Sequence, residues 1–232
     1  MIVTAGGIKG GSGKTTVATN LAILRAAAGS DVLLVDADDQ ETATDFTNLR
    51  NERHGPASEA SSRFDAQYTC VKLTGAAVRT ELLRLTSKYQ DIIIDTGGRD
   101  TASQRAALTV AGVLLIPFVP RSFDLWTLEK VEELVKEITA VNPGLRAYTF
   151  LNRADPRGTD NSETGAVLRE TEILQFLDTP LGARKAFSNA AAAGLAVTEL
   201  KPADLKANDE MMALYRYVFD IGEISKRYLG MV

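Results

Sequence analysis

Cysteine and histidine occur once each in these 232 residues, and no apolar run approaches the ~18 residues of a membrane span. Each shortage closes a class of function. Cys70 alone forms no internal disulfide, and inside the apolar run YTCVKL it reads as a buried strand residue. His54, in the polar stretch NERHGPASEASSR, has no second histidine or nearby cysteine to join it, which argues against a dedicated histidine-based metal site. The net charge of −4 argues against a chain that is basic all over, although a local basic patch depends on placement and stays open. MIVTAGG begins at once as a strand, without the basic head and long apolar stretch of a signal peptide, so the expected location is the cytoplasm. Repeats and low-complexity linkers are missing as well, and the length suits one core: a single domain over residues 1–232.

What is present alternates between strand and helix. MIVTA, DVLLVDA, YTCVKL, DIIIDT, GVLLIPF and RAYTFLN are short runs rich in Val, Ile and Leu, as strands buried on both faces require. An Ala-rich helix is predicted from Thr15 to Ala28, closed by Gly29 as its C-terminal cap. A second, from Ser122 to Ala140, places Leu125, Leu128, Val131, Leu134, Val135 and Ile138 at three- and four-residue spacings. After Asn152 comes a turn-rich loop, RADPRGTDNSETG, and then helical patterns to the end. The expected fold class is therefore α/β, a mostly parallel twisted sheet with helices on both faces.

The first strand runs into KGGSGKTT and then a helix, the setting in which backbone N–H groups and a helix N-terminus cradle phosphates. Gly10, Gly11 and Gly13 let the backbone approach an anion. Lys14 reaches the β- and γ-phosphates, and Thr15 offers its hydroxyl to Mg²⁺. The strict P-loop pattern fails at one position, where Ile8 replaces the first glycine. Asp36 ends the second strand, Asp38 and Asp39 lie in the turn that follows, and Asp95 closes DIIIDT. Carboxylates at the C-terminal edge of a parallel sheet, beside the P-loop strand, can reach a metal and an attacking water. Asp95 is expected to hold Mg²⁺ through water, and Gly97 and Gly98 to open a loop close to the γ-phosphate.

KGGSGKTT resembles the deviant Walker A motif of the ParA/MinD family of P-loop ATPases, a SIMIBI-like group, with Lys9 at the family's signature lysine. The resemblance covers nearly the whole chain and implies an ATP- and Mg²⁺-dependent ATPase. In it Gly10, Gly11, Ser12, Gly13, Lys14, Thr15 and Thr16 hold the nucleotide, and Lys9 crosses a homodimer interface to the partner's phosphates. The segment DADDQ is similar to the family's D-x-D-P-Q. The match implies that Asp38 orients or activates the water and that Asp36 supports Mg²⁺ through its shell; Asp39 stands where the family has proline. By the same likeness Asn152 contacts adenine, with Arg153 its neighbour.

ParA-like members dimerise with ATP, bind DNA without sequence preference, associate with the nucleoid and position a cargo such as a plasmid, a chromosome origin or a carboxysome. An adaptor protein on the cargo stimulates hydrolysis. LGARKAFSNAAAAGLAVTEL looks like the family's segment with a basic residue before a helix and a Gly-x-x-V-x-E turn. That makes Arg184 and Lys185 the first candidates for DNA phosphates, with Lys201, Lys206, Arg216, Lys226 and Arg227 behind them. From Arg184 onward, however, seven basic side chains meet six acidic ones, so composition shows no basic stripe. The alternative is a MinD-like membrane-cycling ATPase, for which ISKRYLGMV, with Lys226, Arg227, Tyr228 and Leu229, offers only a short amphipathic end. A biosynthetic amidoligase or a nitrogenase iron-protein relative fits less well: the first usually has further substrate machinery, and the second needs more cysteines than Cys70.

Overall fold

A computed structural model describes residues 1–53, 66–122, 125–155 and 159–229, with side chains to Phe219. His54 and the interior of its loop fall outside these residues. The elements in chain order are β1 (Ile2–Ala5), α1 (Lys14–Ala27), β2 (Val32–Ala37), α2 (Thr42–Arg53), β3 (Thr69–Lys72), α3 (Ala77–Leu85), β4 (Asp91–Thr96), α4 (Ala102–Leu108) and β5 (Val113–Phe118). They continue with α5 (Leu125–Val141), β6 (Arg146–Ala154), α6 (Asp160–Arg169), β7 (Gln175–Phe176), β8 (Leu181–Gly182), α7 (Lys185–Ala192) and α8 (Leu205–Leu229).

The strands run in the order β3-β2-β4-β1-β5-β6-β7, β8 pairs with β6, and every pairing is parallel. Alternation along each strand feeds two faces. Val113 and Leu115 of β5 join α1, α7 and α8 on one side, while Leu114 and Ile116 join α4, α5 and α6 on the other. The β2–β4 end of that second side is filled by Leu33, Val35, Ile92 and Ile94 against Val78 and Leu82 of α3.

The predicted helices form within three residues of their expected ends. Gly29 closes α1 at φ 88, donating to Ala26 O at 2.9 Å while Ser30 donates to Arg25 O at 3.2 Å, the paired bonds of a left-handed helix stop. Two expectations change. Cys70 is half-buried because β3 is the sheet's edge and pairs only with β2; the burial it does have holds its thiol pKa above the usual value. Beyond Asn152 the chain is not helical throughout: β7 and β8 add to β6, and two-residue strands are too short to leave a periodic signature. No described helix is long and apolar enough to cross a membrane.

Candidate nucleotide site

The strand order brings the chemistry together. β1 lies between β4 and β5, and β2 adjoins β4, so Ala5 registers with Asp95 and Asp95 with Asp36 at the C-terminal ends of three adjacent strands. Ligands bind outside such strand ends in open α/β sheets.

Between β1 and α1 the P-loop turns on glycines in left-handed backbone, Gly11 at φ 72 and Gly13 at φ 93. Gly13 is the N-cap of α1, and no side chain caps that helix, so its first N–H groups are left for an anion. Lys14 is buried and its ammonium donates to Lys9 O at 3.0 Å, curling the loop around the lysine; Ser12 Oγ donates to the same carbonyl at 3.4 Å. Burial lowers the Lys14 pKa, and the nearby Asp95 and Asp38 carboxylates oppose that pull.

Asp95 is fully buried and neither carboxylate oxygen has a hydrogen-bond partner at ordinary geometry. Burial pushes its pKa up to about 7; the Thr15 hydroxyl and Lys14 pull the other way, while Asp36 and Asp38 add to the rise. An unpartnered buried carboxylate below the P-loop hydroxyl of Thr15 fits Mg²⁺, which keeps much of its water and takes few protein ligands. The described residues contain no cluster of three or more His, Cys, Asp or Glu side chains that could hold a metal by themselves.

Asp36, expected in the metal's shell, is occupied differently. Its Oδ2 accepts from both the N–H and the hydroxyl of Thr44 at 2.8 Å, and its Oδ1 from Asp38 N at 3.1 Å. It anchors the loop that carries Asp38 to the start of α2. Asp38 is half-buried, accepts from Gln40 N at 3.2 Å, and faces Gly97, where a Cβ would lie 2.8 Å from its Oδ1. Gly98 is tighter: a Cβ there would lie 2.5 Å from Gly10 Cα and 2.6 Å from Gly10 N. The loop after β4 therefore rests directly on the P-loop.

These parts enclose a cleft of about 720 Å³, lined by Gly10, Gly11, Gly13, Lys14, Thr15, Asp38, Asp39, Gln40, Gly97, Gly98, Arg99 and Arg153 among others. A groove of about 480 Å³ shares Gly13 and Arg153 with it and continues past Thr16, Asn152 and the Gly182–Lys185 turn to Phe187. Asn152, expected at adenine, borders this groove but its amide is held by the protein. It donates to Ser12 O at 2.6 Å and accepts from Arg153 N at 2.9 Å, a strut beneath the P-loop. A Cβ on Gly13 would meet that amide at 2.2 Å. Arg153 sits in left-handed backbone at φ 54, with its side chain exposed at the seam of cleft and groove.

Of the DNA candidates, Lys185 is exposed, whereas Arg184 is paired with Glu210 at 2.6 Å, and Glu210 also accepts from Gly182 N at 3.0 Å. That pairing fastens the turn before α7 to α8 and competes with any phosphate for the guanidinium. Lys201, Lys206 and Arg216 are exposed; the side chains of Lys226, Arg227, Tyr228 and Leu229 lie outside the described residues.

Three supports escaped sequence reasoning. Gln104 Oε1 accepts from Gly7 N at 3.1 Å and from Thr96 Oγ1 at 2.8 Å, tying the start of the P-loop to the end of β4. Arg105 pairs with Asp100 at 2.6 Å and Glu137 at 2.5 Å. Arg50, buried in α2, makes two bonds to Glu199 at 2.8 and 2.9 Å. Only the polar Gln104 and Arg105 amid the small residues of α4 offered any signal.

Comparison with known proteins agrees with this geometry. Residues 3–197 match the family model for the CobQ/CobB/MinD/ParA nucleotide binding domain. The chain is 34% identical to the maintenance of carboxysome distribution protein A of Gloeobacter kilaueensis, over 82% of this chain and 81% of that one. It is 28% identical to the protein of the same description from Halothiobacillus neapolitanus, over 88% and 89% of the two chains. Among solved structures, the Cyanothece McdA–ATP complex superimposes with a TM-score of 0.75 at 18% identity, covering 94% of this chain and 96% of that one, which attests the fold. With a P-loop at the end of β1, carboxylates at the ends of β2 and β4, and a family match over most of its length, the chain belongs to the CobQ/CobB/MinD/ParA nucleotide-binding family.

Proposed function

We propose that this protein is a Mg²⁺-dependent ATPase, converting ATP and water to ADP and phosphate, that dimerises with ATP and positions or segregates a cargo along DNA. The observation that carries the reading is the convergence of Lys14, Thr15 and Asp38 on one P-loop cleft, with the Asp95 carboxylate buried beside Lys14 and Thr15, and Lys9 at the position of a lysine that serves a second subunit. The phosphates lie on the P-loop amides and the N-terminus of α1, and the nucleoside lies in the groove beside Asn152. Lys14 balances charge on the β- and γ-phosphates. Asp38, in the cleft wall, orients the water whose oxygen bonds to the γ-phosphorus as the bond to the β–γ bridging oxygen breaks, and accepts its proton. Thr15 and Asp95 would hold Mg²⁺, which supplies charge neutralisation between the phosphates. Lys9 contacts the partner's phosphates in the dimer.

Names of the relatives supply the wider role: two are described as maintaining carboxysome distribution. Here that becomes an ATP-dependent, sequence-independent grip on DNA, released when an adaptor on the cargo stimulates hydrolysis. Lys185, with Lys201, Lys206 and Arg216, offers phosphate contacts. The test is binding to a non-specific duplex with ATP, with ADP and without nucleotide across a salt series, with anionic liposomes in parallel. ATP-dependent DNA binding that weakens with salt, and is lost in Lys14→Ala, is expected. Binding to liposomes instead of DNA moves the protein to the membrane-cycling branch, and normal ATP affinity in Lys14→Ala overturns the site itself.

A further inference from the structure

The cleft carries a further cation beside Lys14 and Arg153. Arg99 lies in the loop between Asp95 and α4, is exposed, and makes no ion pair among the described residues. Its neighbour Asp100 does not neutralise it, because both Asp100 oxygens are held by Arg105, at 2.7 and 2.6 Å, and Arg105 is held in turn by Glu137. On its other side Gly98 is pressed against Gly10, with room for no Cβ. Arg99 is thus suspended between two fixed points, one on the P-loop and one on α4.

Position within the cleft gives this cation a target. Arg99 lines the cleft with Gly10, Lys14 and Asp38 of its own chain, and it does not line the groove beside Asn152. Arg99 therefore borders the phosphate end of the cleft, and on its other side the hollow of Lys130, Glu133 and Glu137. A planar fork of N–H donors suits two oxygens of one phosphoryl group, as an ammonium does not. Resting on the ATPase reading, we propose that Arg99 is a second phosphate-binding cation, supplied by the subunit that holds the nucleotide, which selects ATP over ADP by contacting the terminal phosphate. Lys9 and Arg99 then approach the same phosphate from different subunits.

Affinities for ADP and a non-hydrolysable ATP analogue, both with Mg²⁺, test this in wild type, Arg99→Ala and Arg99→Lys. The alanine variant should lose about ten- to a hundredfold in affinity for the ATP analogue, the size of one charge-assisted contact, with ADP affinity changed less than about twofold. The lysine variant should fall between, keeping charge without the fork. Equal losses for both nucleotides, or none, overturn the proposal while leaving the ATPase reading standing; wild type that binds neither nucleotide overturns both. Mixing Arg99→Ala with Lys9→Ala subunits, each defective alone, assigns the subunit. If Arg99 serves its own nucleotide and Lys9 the partner's, each mixed dimer keeps one site with both cations and hydrolysis returns. No return of activity on mixing overturns the same-subunit assignment.

Discussion

Replacing Gly98 with alanine tests whether the contact between the two loops is what shapes the phosphate cradle. The added Cβ would sit 2.5 Å from Gly10 Cα, and the pair must part by about 0.9 Å to reach the 3.4 Å where such contacts become ordinary. The Gly10 atoms are backbone and a Cβ has no rotamer of its own, so no side-chain rotation relieves the clash. Gly10 is held through a loop whose Lys9 carbonyl accepts from Lys14 and whose Ser12 carbonyl accepts from Asn152, so the displacement passes to the amides that face the phosphates. A misplacement near 1 Å at reacting groups costs about a hundredfold in rate, while overpacking of this size costs about 1–3 kcal/mol in stability. The assay is steady-state ATP hydrolysis beside thermal unfolding, with Gly112→Ala as control, since a Cβ there meets only Ile2 O at 3.7 Å. The expected result is a hundredfold loss of turnover in Gly98→Ala with a fold that still melts cooperatively. Turnover within about threefold of wild type would show that the two loops separate freely, and the argument for a fixed cradle would fail.

Other perturbations reach different layers. Arg50→Ala leaves Glu199 buried without its partner and should cost about 3–5 kcal/mol, read by denaturant unfolding; a cost as small as that of an exposed pair such as Arg84–Glu81 would refute the clamp. Burial opposes ionisation of Asp91, but hydrogen bonds from Arg25 and the Met1 amino group outweigh it and hold its pKa below 3.8. Its stabilising share is therefore complete above that value and fades as pH falls through the lower folded pKa. Asp91→Asn should flatten the acid limb of stability against pH, and an unchanged limb would refute the pairing. Trp126, the single tryptophan, is 77% exposed and precedes Thr127, which shares a small cavity wall with Lys9. ATP-driven dimerisation across that face should shift its emission to the blue, and an unshifted spectrum on dimerisation would place the interface elsewhere.

What the sequence discloses about the site follows from how local its chemistry is. In the proposed site Lys14 and Thr15 are adjacent because one loop offers an ammonium to phosphate and a hydroxyl to Mg²⁺, and Asp95 ends an apolar strand because that site lies at the sheet's C-terminal edge. Such demands leave contiguous marks. Arg50 and Glu199 stand 149 residues apart, and in a helix with little apolar pattern an arginine looks like surface until the turn at Gly194 closes over it. Asn152 shows the opposite case: its place near the C-terminal end of β6 was legible, but the bond to Ser12 O, which makes it a strut, joins residues 140 apart. The pairing of Arg184 was hidden for the same reason, since Glu210 lies a helix away.

The supports that sequence does not disclose share a direction. Gln104 ties the end of β4 to Gly7, Gly98 rests on Gly10, and Asp36 ties the end of β2 to Thr44 at the head of α2. From α2, Arg50 reaches Glu199 and the carbonyl of Gly194, just past the end of α7. Each joint is a hydrogen bond or a close steric contact, with little slack to absorb a shift. A displacement of the Asp38 loop by a terminal phosphate therefore has a mechanical route through α2 toward the surface that carries Lys185. A double-mutant cycle between Asp38→Ala and Arg50→Ala, read as ATP-dependent DNA affinity, measures whether that route is used. Coupling of about 0.5–2 kcal/mol is expected, and additivity would leave the clamp a matter of stability alone.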